Sequence, residues 1–97
     1  MFTTPVIQTL AHLRDYVNAI ICQHHQLETG AFPLSERILV QSDRPCGIYF
    51  CLHGPRAVTL SAIWEMQRNT ILFYDSTGQR FHKVQLVAAP QLEGTAA

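Results

Sequence analysis

Charge is what this chain has least of. Lys, Arg, Asp and Glu make up 14% of its 97 residues, against about 25% in an ordinary domain. The formal net charge is zero. No long-range field is available to gather polyphosphate, and no RNP-like motif compensates, so a nucleic-acid partner is disfavoured. No apolar run approaches the roughly 20 residues that span a bilayer, which excludes a membrane partner of that kind. The first residues, Met1-Phe2-Thr3-Thr4-Pro5, lack a basic stretch followed by an apolar one, so the expectation is a cytoplasmic protein without a signal peptide. Cysteine is scarce and odd in number: Cys22, Cys46 and Cys51 are expected as free thiols rather than a disulfide framework.

A small domain is mostly surface. At this size roughly 60–65% of the unfolded chain's area can be buried, enough for one core. With few charges to cover the rest, uncharged and apolar groups must face outward. That favours a partner, most simply a second copy of the chain.

The pattern that is present changes once along the sequence. In the first third, Val6, Leu10, Leu13, Val17, Ile20 and His24 recur at spacings of three and four, and Ile7 and Ile21 widen the stripe. Gln8, His12, Asp15, Asn18 and Gln26 lie away from it. This predicts a helix of five to six turns, capped by Thr4 with Pro5 in its first turn and stopped by Gly30 and Pro33. From Glu36 the period becomes two. Five strands are expected: Arg37–Gln41, Gly47–His53, Ala57–Met66, Thr70–Tyr74 and Arg80–Leu86. Turns fall at Ser42-Asp43-Arg44-Pro45, His53-Gly54-Pro55-Arg56, Gln67-Arg68-Asn69-Thr70 and Asp75-Ser76-Thr77-Gly78, with Asn69 and Gly78 suited to left-handed backbone. In the last strand Phe81 and Val84 fall on opposite sides of a strict alternation, which predicts a bulge or twist.

The connections are too short for parallel crossovers. The fold class is therefore α+β: one N-terminal amphipathic helix on a four- to five-stranded antiparallel meander, in two layers. Residues 1–88 form the domain, and 89–97 lack a pattern and are expected as a flexible tail. In outline the layout resembles the cystatin-like arrangement. The likeness is topological and brings no functional motif with it.

A single helix about 10 Å wide cannot cover a sheet about 20 Å across. Val58, Leu60, Ala62, Trp64 and Met66 are expected under the helix. The opposite face keeps Tyr49, Ile63, Leu72 and Tyr74; this face, or an edge strand, is the expected interface of a homodimer or with another protein. Chemistry is sparse. Cys22 and His24 point about 200° apart on a helix, and Cys46-x₄-Cys51 has no second cysteine pair, so the ligand spacing of a zinc site is missing. Cys51 and His53 share a strand face, but i,i+2 side chains stand about 6.5–7 Å apart, too far for direct proton transfer. No catalytic constellation, Gly-rich phosphate loop or cofactor motif appears, so an enzyme is disfavoured. The remaining alternative is a small-ligand pocket or rudimentary active site near the helix C-terminus, lined by His24, His25, Cys51 and His53.

Overall fold

The structure, a computed structural model, describes residues 7–87. It contains one helix, α1 (Leu10–His24), followed by β1 (Leu34–Gln41), β2 (Arg44–His53), β3 (Thr59–Glu65), β4 (Thr70–Tyr74) and β5 (Arg80–Gln85). The strands form one antiparallel sheet in the order β1-β2-β3-β4-β5. The α+β two-layer architecture is the one the sequence predicts.

The helix is shorter than its periodicity suggests. Its N-cap is Thr9, in extended backbone, whose hydroxyl accepts from the His12 amide at 3.2 Å. The expected cap at Thr4 and Pro5, together with Val6, lies outside the described residues, as do Ala88 and the expected tail over 89–97. Ile7 is buried without being helical. Apolar spacing therefore marks burial here, not helix. The helix ends six residues before Gly30, in a Schellman motif. Gln26 takes left-handed backbone (φ 57°), its amide donates to the Gln23 carbonyl, and the Leu27 amide donates to the Cys22 carbonyl at 2.8 Å. Glutamine at a position where glycine is favoured hid that stop.

Leu13, Val17, Ile21 and Cys22 are fully buried. His24, placed by its spacing on the same stripe, is exposed. Beneath the helix, Ile48, Phe50 and Leu52 of β2, Leu60, Ala62 and Trp64 of β3, and Ile71 and Phe73 of β4 are at most 2% exposed. Strand alternation directs them all to one side.

Strand ends differ from expectation for local reasons. The β1–β2 turn is only Ser42-Asp43, both with positive φ (53° and 64°), a two-residue hairpin loop suited to strand twist. Pro45 thus lies in β2 rather than in the turn. There β2 has no partner in β3, whose pairing begins at Gly47, so the missing amide proton costs little. The β1–β2 register shifts between Leu39 and Val40, leaving Cys46 unpaired. β3 begins at Thr59 because Pro55–Ala57 form a 3₁₀ turn. Its left-handed residues are Arg56 (φ 59°) and Ala57 (φ 61°), not Gly54. Asn69 and Gly78 take positive φ as expected. The β4–β5 register shifts between Phe73 and Tyr74 and leaves Phe81 unpaired. That bulge turns Phe81 toward the helix side, so both Phe81 and Val84 pack on the core.

Candidate functional site

Two surfaces hold the sequence-predicted residues, and they lie on opposite sides of the sheet. The first is the face away from the helix. Register sets Tyr49 opposite Ile63, Ile63 opposite Leu72, Cys51 opposite Ser61 and Ser61 opposite Tyr74. Tyr49, Ile63, Leu72 and Tyr74 are half-buried by one another. Charged residues on this face stand around that apolar centre. Arg37 pairs with Tyr49 across the strands, its guanidinium 5.7 Å from the ring centroid. Lys83 pairs with Leu72 and Arg80 with Tyr74, and Glu65 ends β3 opposite Gly47. Toward the β1–β2 turn the face runs into a groove of about 740 Å³, lined by Leu39, Pro45, Cys46, Ile63 and Met66 with Arg44 and Glu65. Gly47 lets the strands close up there, since a Cβ would collide with the Trp64 carbonyl.

Cys51 and His53 belong to this face. They alternate with Phe50 and Leu52, which point to the helix. His53 Nε2 lies 3.1 Å from the Ser35 hydroxyl, and Ser35 Oγ is 3.4 Å from the Cys51 carbonyl oxygen. Nothing in the sequence marks Ser35, because only the strand register places it beside His53. A hydroxyl–imidazole contact alone does not make a nucleophile. Among the described residues no carboxylate bonds the other ring nitrogen, and both Ser35 and His53 are exposed.

The second surface lies at the helix C-terminus. The His24 ring stacks on Phe81 with centroids 3.9 Å apart, and His25 meets the same ring edge-on at 5.1 Å. The bulge that turns Phe81 inward creates this contact, and strict alternation does not reveal the pairing. Burial pushes the His25 imidazole below its ordinary pKa, neighbouring His24 acts the same way, and Asp75 opposes them. His25 Nε2 is buried without a hydrogen-bond partner among the described residues. Beside it a cleft of about 360 Å³ is lined by His25, Leu27, Pro55, Arg56, Val58, Leu60 and Ser76.

The four residues of the expected pocket therefore fall into two pairs, His24 with His25 and Cys51 with His53, separated by the sheet. Among the described residues no three His, Cys, Asp or Glu side chains converge as metal ligands. The Cys22 thiol is held above its ordinary pKa by burial, which makes it a poor nucleophile. No described helix is long and apolar enough to cross a membrane. No protein-family model matches the chain, and neither a curated protein nor a solved structure is similar enough to it to count as a relative.

Proposed function

We propose that the protein is a non-enzymatic assembly module whose face away from the helix docks a second copy of itself. The observation that carries this reading is the distribution of charge on that face. Tyr49, Ile63, Leu72 and Tyr74 make an uncharged centre, while Arg37, Glu65, Arg80 and Lys83 stand at its margins. An apolar centre with a polar rim is the anatomy of a protein interface. Five strands about 4.8 Å apart and six residues about 3.3 Å apart give a planar area of only about 400 Å². A standard interface buries about 800 Å² on each partner. The dimer is therefore weak and dissociates in the micromolar range unless the adjoining groove also takes part.

The free edge of β1 offers a second seat. Ile38 and Val40 are 41% and 61% exposed there, where most edge strands carry charge. Antiparallel pairing of β1 with its copy about a dyad at Leu39 would set Ile38 opposite Val40 of the partner subunit.

Sedimentation velocity over about 1–100 μM tests both seats, since that range brackets weak association. A concentration-dependent rise from 11.0 kDa toward twice that mass is expected. Ile63→Lys abolishes it if the face is the seat, and Ile38→Lys abolishes it if the edge is. A monomer at every concentration overturns the proposal.

A further inference from the structure

The cleft at the helix end lies on the helix side of the sheet, so its chemistry is independent of the dimer. Its floor is aliphatic: Leu27, Val58 and Leu60 all pack on the core. Its polar groups are few. Arg56 and Ser76 are exposed and come from two different connections, and His25 comes from the helix end. An apolar floor with a small number of convergent polar groups is the usual form of a small-molecule site, and the volume is at the small end of the range.

The charges decide which small molecule fits. The Asp75 carboxylate accepts from the Thr77 amide and hydroxyl and from the Gln79 amide, all through Oδ1, which ties it to its own turn while leaving its charge in place. The helix-end carbonyls of Ile21, Cys22 and Gln23 accept from His25, Leu27 and Gln26. Arg56 has no ion-pair partner among the described residues. Among the residues that line the cleft the unpaired charge is the Arg56 guanidinium, whose fork matches a carboxylate.

Backbone geometry adds to this. Arg56 and Ala57 are consecutive left-handed residues without glycine's freedom, and strained backbone of this kind gathers where side chains bind.

We propose that this cleft binds a small aliphatic carboxylate, its carboxylate held by Arg56 with Ser76 and its alkyl body seated on Leu27, Val58 and Leu60 beside the His25 ring.

Titration of the isotope-labelled protein with hexanoate, followed by amide and imidazole chemical shifts, tests it. Saturable shifts at Leu27, Arg56, Ser76 and the His25 ring are expected, with a dissociation constant near or below about 1 mM for so small a ligand. Hexan-1-ol and inorganic phosphate should each bind at least about tenfold more weakly, since one lacks the charge and the other the alkyl body. Phosphate binding as well as hexanoate would show a bare cation and overturn the class of ligand. Arg56→Gly supplies the control for folding. Glycine adopts this backbone without strain, so the melting temperature should hold or rise while hexanoate affinity falls at least about tenfold. Unchanged affinity in that variant, or no saturable shift up to about 10 mM hexanoate, overturns the proposal.

Discussion

The two faces of this sheet are made from the same strands and meet different fates. Helix α1 covers one, where eight residues from Ile48 to Phe73 are at most 2% exposed. Nothing among the described residues covers the other, where Tyr49, Ile63, Leu72 and Tyr74 remain half-buried. Alternation sends neighbouring residues to opposite sides but does not choose which side becomes the core. The covering element chooses. The covered face is almost wholly aliphatic and aromatic. The open face mixes tyrosine, cysteine, serine and charge, a composition that tolerates water and can also dock a partner.

Leu13→Ala breaks this comparison most severely. Leu13 is fully buried between the helix and the sheet, and truncation there should cost about 2–5 kcal/mol in urea unfolding followed by Trp64 fluorescence. Trp64, 2% exposed, should emit at short wavelength in the native state and shift red on unfolding. Ile63→Ala on the open face should cost about 1 kcal/mol or less in the monomer, near the centre of the mutational distribution. Equal costs would mean that the open face is buried in the molecule measured.

The covered face also has one polar clamp. Trp64 Nε1 donates to Asn69 Oδ1 at 2.9 Å, and the Asn69 amide group reaches the Leu86 carbonyl at 3.5 Å. The Leu86 amide returns a bond to the Asn69 carbonyl at 2.9 Å. Asn69→Ala should cost about 1–3 kcal/mol, because the indole N–H is left buried without an acceptor. Asn69→Asp keeps an acceptor and should recover part of that loss. A neutral Asn69→Ala would mean that water reaches the indole.

Most of the architecture was legible in the sequence because it follows from periodicity. The change of period near Glu36, the turn residues and the core alternation of β3 all have local causes. What stayed hidden is set by contacts between elements. Gln26 ends the helix in a conformation that residue type does not advertise. Apolar spacing continues past the helix start to Ile7, since burial does not require helix. The separation of His24 and His25 from Cys51 and His53 depends on which sheet face the helix covers. A residue list cannot say that, although the alternation of Cys51 with Phe50 and Leu52 held half of the answer. Arg56 and Ser76 sit in turns far apart in sequence, and only folding brings them to one cleft.

One ion pair ties the helix to the edge of the sheet. Arg14 forks onto Glu36, with Nη2 to Oε2 at 2.9 Å and Nε to Oε1. Both side chains are well exposed, so Glu36→Gln should cost only about 0.2–1 kcal/mol and less in high salt. The Arg14 hydrogen bonds hold the Glu36 carboxyl below its ordinary pKa, against a smaller opposing effect of burial. The folded state therefore binds fewer protons than the unfolded one. The contribution is complete at neutral pH and disappears as pH falls through the carboxylate range. Wild type and Glu36→Gln should differ in unfolding free energy at pH 7 and converge in acid. A gap that persists in acid would assign the effect to the amide head group that replaces the carboxyl rather than to the carboxylate's charge.

The smallest expected effect is at His12, and it sharpens the comparison because it probes the outer side of the helix. His12 is exposed; only its backbone amide takes part in the cap, through the Thr9 hydroxyl. His12→Ala should therefore change stability by no more than about 0.5 kcal/mol. Alanine's better helix propensity makes a slight gain as admissible as a slight loss. The measurement is equilibrium unfolding at two protein concentrations. If His12→Ala proves as damaging as Leu13→Ala, and more so at high concentration, the helix is buried on both sides. One sheet face cannot bury both sides of a helix, so a second copy would have to lie over α1, leaving the open face to water. A neutral His12→Ala beside a concentration-dependent loss for Ile63→Lys would put the second copy on the sheet.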